Sequence, residues 1–467
     1  MASPCILFLL CVLSLIASTS SKPNTITLPL SPLFTKSSSS DPFQTIKLAA
    51  SASLSRAHHL KHRKSGHNSS SPVKTPVYPK GYGGYSVDLK FGTPPQTLSF
   101  VLDTGSSLVW LPCSSRYTCS NCNFPNIDPT KNHTFIPKNS SSSEIVGCKN
   151  PKCGWLFGPD VHSRCQGCKP DAQNCTLNCP VYIIQYGLGS TAGLLLLENL
   201  NFPGKIVTDF LVGCSILSIR QPSGIAGFGR GKESLPSQMG LKRFSYCLIS
   251  HRFDESPENS DLILQIDSTG GAKTRGLSYT PFHRNPSVNN SAFREYYYVT
   301  LRKVIVGGKQ VKIPFKVLEP GSDGNGGTVV DSGSTFTFME KPVYDLVAQE
   351  FEKQLANYTR AKDVETQSGL SPCFNFSGVK KVPFPELTFQ FKGGAKMALP
   401  VANYFSLFGD AEVACLIIVS DGGAAGPARA GGPAIILGNY QQQNFYVEYD
   451  LENERFGFRP QSCKRSA

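Results

Sequence analysis

Two aspartates stand in the same setting. Asp103 lies in "SFVLDTGSSLVWLPC", Ser99 to Cys113, and Asp331 lies in "GGTVVDSGSTFTFM", Gly326 to Met339. Each interrupts an apolar run with Asp, Thr or Ser, Gly, and further hydroxyl residues. One Asp-Thr-Gly alone reads as a β-turn, with the Asp bonding its own backbone and Gly supplying a positive φ. Two such turns, one in each half of the chain, point to chemistry. A carboxylate beside buried strands is costly to ionise alone. If the two turns meet, like charges cannot both ionise, and the pair holds one proton between them. Such a pair can act as base toward a water and as acid toward a developing carbonyl oxygen or a leaving amine. The small Thr104, Gly105, Ser332 and Gly333 permit close approach, and their hydroxyl and N–H groups can orient the carboxylates.

The surrounding elements must then be strands. From Gly81 onward the chain consists of short β-branched and aromatic runs punctuated by Gly, Pro and Asn, such as "YSVDLKFG", "LSFVLDTG", "YYYVTLRKVIVGG" and "NFYVEYDLENERFGF". This predicts an all-β chain with many hairpins. A sustained helical pattern is visible only over 341–359, with Val343, Leu346, Val347, Phe351 and Leu355 on one face. The Gly-rich 419–433 reads as a loop or flexible insertion. There is also a weak internal repeat. Apolar-Asp-Thr-Gly is followed by "SGIAGFGRG" (223–231), and apolar-Asp-Ser-Gly by "AIILGNY" (434–440). One Asp per lobe, in two lobes, is the simplest reading.

A chain of 467 residues is too long for one ordinary core. Residues 1–21 carry an apolar stretch from Ile6 to about Ala17, too short to span a bilayer and of the length of a secretory signal peptide. No other run is apolar for 18 residues, so no membrane anchor is expected. Residues 22–75 are Ser-rich and basic, with eight Lys/Arg against one Asp and half of the eight histidines. They read either as a disordered linker or as a prosegment whose positive charge docks on an acidic cleft and is released by acid. The prosegment reading is preferred, with removal near Ser71–Tyr78. This stretch carries more than half of the net charge of +13. No nucleic-acid motif accompanies it, so no nucleic-acid partner is expected. Once Cys5 and Cys11 leave with residues 1–21, fourteen cysteines remain of sixteen. In an oxidising compartment these imply disulfides. Sequons at Asn68, Asn132, Asn139, Asn174, Asn289, Asn357 and Asn375 imply glycosylation.

The segments "FGTPPQTLSFVLDTGSSLVWLPC", "YGLGSTAG", "GIAGFGRGKESLPSQ", "RFSYCL", "GTVVDSGSTFTF" and "ILGNYQQQNFYVEYDLENERFGF" resemble the pepsin-type (family A1) aspartic proteases, and more narrowly their plant nepenthesin-like branch. The likeness runs over about 81–463. It implies a bilobal pepsin-like fold, with two β-barrel-like lobes and the active-site cleft between them. The lobes would be 76–265, holding a Cys-rich insertion (113–179) and a flap, and 266–467. It implies that Asp103 and Asp331 are a catalytic dyad, with no metal and no cofactor. Tyr186 and Gly187 match the flap, and Trp110 the tryptophan that bonds the flap tyrosine. Ser106, with Thr335 or Ser334, would support the dyad alongside Thr104, Gly105, Ser332 and Gly333. The implied protein is a secreted monomeric endopeptidase, made as a zymogen and acting at acidic pH on extended polypeptides. The family's saposin-like insert is missing between Asp331 and Cys463, which favours the cell exterior or wall over the vacuole.

Two features depart from the pattern. The stretch between Asp103 and Tyr186 is long and holds additional cysteines. Leu188 stands where the branch usually has Asp, which would favour apolar side chains at that subsite. The likeness pairs Cys373 with Cys415 and Cys247 with Cys463; sequence alone allows three connectivities among these four. The pairs Cys119/Cys122 and Cys165/Cys168 permit a zinc reading, with disulfides preferred. A rival from another class is a catalytically silent binder or inhibitor of cell-wall enzymes. A damaged dyad or flap would mark it, and both are intact here. A Cys-rich adhesion module ranks below it.

Overall fold

The apolar alternation read from the sequence becomes strand pairing in the computed structural model. It describes residues 25–32, 42–62, 83–122, 133–158, 161–165, 168, 175–187, 189–250, 259–287, 291–408, 412–421 and 431–463. The expectations for residues 1–21, for Leu188, for most of 419–433, and for Asn68, Asn132, Asn174 and Asn289 lie outside the described residues.

The largest sheet carries most of the site. Strand β1 (Thr25–Pro32) alternates exposed and buried positions, with Ile26, Leu28 and Leu30 inward. It is followed by helix α1 (Pro42–His62), then by β2 (Tyr85–Phe91), β3 (Gln96–Asp103) and β4 (Trp110–Pro112). Next come β5 (Tyr182–Gln185), β6 (Ser190–Phe202), β7 (Lys205–Ile219), β8 (Gly224–Gly227), β9 (Arg243–Cys247) and β10 (Ser260–Gln265). In this sheet β1 is held on both sides, antiparallel to β10 and to β2.

The second half supplies β11 (Thr328–Val330), β12 (Thr337–Met339), helix α2 (Lys341–Gln354), β13 (Ile435–Leu437), β14 (Phe445–Asp450) and β15 (Arg455–Pro460). The last two strands return to the large sheet, where β14 pairs with β9.

The weak sequence repeat is a topological one. β8 lies between β3, parallel, and β4, antiparallel. β13 lies between β11, parallel, and β12, antiparallel. In each half the Asp-x-Gly turn therefore leaves one strand and re-enters another, while the later apolar-Gly run threads between them. That crossing fixes each turn from both sides.

One apolar cluster draws on both halves, from Ile26 to Phe458. A second packs α1, through Ile46, Ala49, Ala50, Ala57 and Leu60, against Phe293, Tyr298, Phe336, Phe338 and Ile417. A third surrounds Trp110, Tyr182 and Tyr186.

Two helical expectations need correction. The pattern over 341–359 forms a helix only to Gln354, and Leu355 leaves helical geometry at ψ 21° while staying buried. The 21-residue helix α1 has no counterpart in the sequence reading. Its inward face is largely alanine, with Ser53, Arg56 and Lys61 also buried, so no strong apolar stripe marks it.

The insertion cysteines pair Cys113–Cys214, Cys119–Cys122, Cys148–Cys165, Cys153–Cys179 and Cys168–Cys175. Every sulfur the zinc reading needs is thus in a disulfide. Cys247–Cys463 and Cys373–Cys415 form as the resemblance implied. Asn139, Asn357 and Asn375 are exposed.

Candidate active site

Asp103 closes β3 and Asp331 follows β11, and the two turns face each other. The Thr104 hydroxyl donates to the Val330 carbonyl at 3.2 Å, and the Ser332 hydroxyl donates to the Leu102 carbonyl at 2.9 Å. The Thr104 N–H donates to Ser332 Oγ at 3.1 Å, and the Ser332 N–H to Thr104 Oγ1 at 2.9 Å. Each turn is therefore tied to the strand carrying the other aspartate.

The carboxylates receive matched donors. The Gly105 N–H reaches Asp103 Oδ1 at 2.9 Å and Ser106 Oγ reaches Oδ2 at 2.6 Å. The Gly333 N–H reaches Asp331 Oδ1 at 2.9 Å and Ser334 Oγ reaches Oδ2 at 2.6 Å. Of the two residues offered for this last place, Ser334 makes the bond. Thr335 is buried close by, and its carbonyl accepts the Tyr440 N–H. The glycines are required by space. A Cβ on Gly333 would sit 2.3 Å from Asp103 Oδ1, and one on Gly105 would sit 2.7 Å from Asp331 Oδ1. Such contacts essentially never occur, so the two turns could not approach with any larger residue there.

A cation from the N-terminal segment lies across both carboxylates. On α1, Arg56 Nη2 is 2.6 Å from Asp103 Oδ1, and its Nε is 3.1 Å from Asp331 Oδ2. All three side chains are buried. The helix is held by further contacts. Ser53 Oγ accepts the Phe336 N–H, the Tyr296 hydroxyl donates to the Leu60 carbonyl, Lys61 pairs with Glu340, and Phe43 stacks on Phe408. Full burial of Ile46 and Leu60 contributes about 2 kcal/mol each.

Burial alone would lower the Arg56 pKa, but the facing Asp103 and Asp331 charges raise it well above the usual value. Burial drives the Asp103 carboxyl up, reinforced by Asp331, and the Arg56 charge only partly offsets this. Burial also acts to raise Asp331. There the Arg56 charge and the bonds from Arg56, Ser334 and Gly333 prevail, and its pKa is lowered. With Arg56 in place, Asp331 is the more acidic of the two carboxyls.

Tyr186 follows β5 at the tip of the β5–β6 hairpin, and Trp110 Nε1 donates to its hydroxyl at 2.8 Å. A Cβ on Gly187 would lie 2.5 Å from Arg56 Cα. The hairpin tip thus packs directly onto α1, and His59 lies 6.4 Å from the Tyr186 ring, centroid to centroid. The structure brings together Asp103, Asp331, Thr104, Gly105, Ser106, Ser332 and Gly333, with Tyr186, Gly187 and Trp110 beside them. Arg56 was not singled out from the sequence; the only signal was the basic composition of its segment.

Family models described as xylanase inhibitor N-terminal and xylanase inhibitor C-terminal match residues 85–264 and 296–460. Nepenthesin-2 of Nepenthes gracilis is 33% identical over 405 residues, covering 85% of this chain and 82% of its own. A probable aspartyl protease of Arabidopsis thaliana is 33% identical over 423 residues, covering 81% and 82%. Among solved structures, edgp aligns with a TM-score of 0.63 at 19% identity over 94% of this chain and 95% of its own. Conglutin gamma, a basic 7S globulin from lupine seeds, aligns with a TM-score of 0.60 at 18% identity over 94% and 96%. At these identities the two structures establish likeness of fold. Among the described residues, no helix is long and apolar enough to cross a membrane.

Proposed function

The chain belongs to the pepsin-like plant aspartic protease family, and on that premise we propose that it is a secreted aspartic endopeptidase made as a zymogen, with Asp103 and Asp331 as its catalytic dyad. The observation that carries this reading is the matched pair of carboxylates, each with a Gly N–H and a Ser hydroxyl, cross-tied by Thr104 and Ser332. In the active state the pair shares one proton. The ionised carboxylate takes a proton from a water whose oxygen bonds the peptide carbon. The protonated one donates to the carbonyl oxygen. Proton return to the nitrogen then breaks the C–N bond, releasing an acid and an amine. The β5–β6 hairpin closes over an extended peptide in a cleft between two lobes, with backbone bonding that suits any sequence. An acidic optimum follows from the need for one proton on the pair.

Residues 22–75 serve as the prosegment, and Arg56 is its plug. The guanidinium occupies the place where the water and the scissile carbonyl must sit. A helix cannot offer the extended backbone that cleavage needs, so α1 inhibits without being cut where it lies.

The test is cleavage of a denatured protein at acidic pH by wild type, Asp103→Asn and Asp331→Asn, with pepstatin as a further arm. Loss of activity in both variants and in the inhibited sample is the expected result. No activity from folded wild type freed of residues 22–75 would favour the second reading, a silent binder of cell-wall enzymes. That reading draws on the description of the matching family models, and the intact pair of carboxylates speaks against it.

A further inference from the structure

Near its C-terminal end α1 carries a second buried cation. Lys61 pairs with Glu340, and its Nζ lies 5.3 Å from the centroid of the Phe338 ring. Lys61 and Phe338 are buried, while the Glu340 side chain is 22% exposed. The backbone that carries the acceptor is fixed. Glu340 follows β12, its N–H donates to the Ala434 carbonyl at 2.8 Å, and its carbonyl accepts the N–H groups of Val343 and Tyr344, each at 2.9 Å. The opposite wall admits a chain at close range, since a Cβ on Gly432 would lie 2.8 Å from Lys61 Cα. The neighbouring Lys341 is engaged elsewhere. Its Nζ is 2.7 Å from Asp345 Oδ2, and its N–H donates to Asp421 Oδ1 at 2.9 Å. Once Lys61 leaves, the described residues at this corner set Glu340, Asp345 and Asp421 against Lys341.

Resting on the dyad and prosegment readings above, we propose that Glu340 and Phe338 form a subsite for a lysine or arginine side chain of the substrate, which Lys61 fills until α1 departs. A carboxylate beside an aromatic face suits such a side chain. The carboxylate takes the charge, the ring attracts it through its negative face, and the aliphatic stem lies along apolar surface. Phe338 belongs to the apolar cluster against α1, with Phe336 and Ile417, so the departing helix uncovers surface on which a stem can lie. Departure also leaves Glu340 without its cation. A basic side chain from a peptide restores that pair, whereas an uncharged one of equal length restores only the apolar contact. The helix rises about 7.5 Å from Arg56 to Lys61. That exceeds two residues of extended chain at about 3.3 Å each, so the side chain recognised lies at least two residues from the bond that is cut. A cation bound this far from the reacting atoms is held alike in the bound substrate and in the transition state, so the preference falls on KM while kcat holds.

Two readouts test the proposal, both at about pH 5, where free glutamate is ionised. Each uses peptides of one sequence with lysine or norleucine placed at successive positions. The first is cleavage by the acid-activated enzyme. Wild type should favour lysine over norleucine about tenfold in kcat/KM at one position, through KM, and Glu340→Gln should bring that ratio close to one. A ratio near one at every position in wild type, or an undiminished ratio in Glu340→Gln, overturns the proposal. The second needs no catalysis. The full chain carrying Arg56→Gln, Lys61→Gln and Asp331→Asn has lost both ion pairs of α1 to the site, and peptide binding is followed by fluorescence anisotropy. The lysine peptide should bind about tenfold tighter than the norleucine peptide, and adding Glu340→Gln should make the two equal. Equal binding before that change, or no binding of either peptide, overturns the proposal. Absence of cleavage by wild type together with a lysine preference in binding would sink the dyad reading and leave the subsite standing, so the two can fail separately.

Discussion

Asp103 and Asp331 take their donors at the same offsets, from the residue two positions on and the residue three positions on. That equivalence makes the two serines separable probes. Each donates to the charged form of its carboxylate, so removing it raises that pKa. A bond to a charged group contributes about 1.5–3 kcal/mol, and one pKa unit is about 1.4 kcal/mol. Ser106→Ala and Ser334→Ala should each move one limb of the kcat/KM profile upward by about one unit. Profiles superimposable on wild type would deny the serines this role. Trp110→Phe should lower kcat/KM through loss of the bond to Tyr186, and the cavity left by the smaller ring at this buried site should lower the melting temperature as well. Equal kcat/KM in that variant would leave Trp110 as packing alone. The aspartates and their hydroxyl neighbours were legible because residue type and spacing carried the chemistry. Arg56 was not. It sits in a basic run, 47 and 275 positions from the two carboxylates it meets, and nothing local distinguishes it from its neighbours.

At the scale of the element, α1 is a helix whose hold depends on charge. The relevant comparison is the same site with and without Arg56. Its cation lowers both carboxyls, so docking expels protons and is favoured as the pH rises. Loosening begins as Asp103, whose pKa is raised, takes up a proton above the ordinary carboxylate range. It is complete only when Asp331, whose pKa is lowered, is protonated below that range. Acid therefore releases the helix. Arg56→Gln removes the cation and leaves the buried carboxylates facing a neutral amide, so α1 should become susceptible to limited proteolysis at a higher pH than in wild type. Identical susceptibility curves would show that Lys61, Ser53 and the apolar face hold the helix unaided. The helix escaped the sequence reading because its buried face sets only Ile46 and Leu60 among alanines and polar anchors, too few large apolar residues to mark a stripe. Strand β2 did not, because Tyr85, Val87, Leu89 and Phe91 alternate plainly; β1 did, because its Ile26, Leu28 and Leu30 stand in the Ser-rich basic segment that reads as linker or prosegment.

Across the whole molecule, the repeat seen faintly in two apolar-Gly runs is the crossing of β8 and β13 through their Asp-bearing strands. Its sequence signal was faint because β-pairing fixes backbone register, while the side chains in each half pack against different neighbours. The Cys247–Cys463 bridge closes the longest disulfide loop among the described residues, with a separation of 216. Replacing both cysteines by serine should cost about 2–4 kcal/mol, read as a lower melting temperature of the full chain, with proteolysis at low temperature retained. An unchanged melting temperature would mean that β9, β14 and β15 hold the two ends without it.

The most direct measurement is the time course of proteolysis after a drop from neutral to acidic pH, for wild type, Arg56→Gln and Asp331→Asn. Wild type should show a lag and then activity. Arg56→Gln should shorten the lag and begin at higher pH, and Asp331→Asn should stay silent. Activity in Asp331→Asn, or the same lag and onset in Arg56→Gln as in wild type, would contradict a shared-proton dyad closed by Arg56.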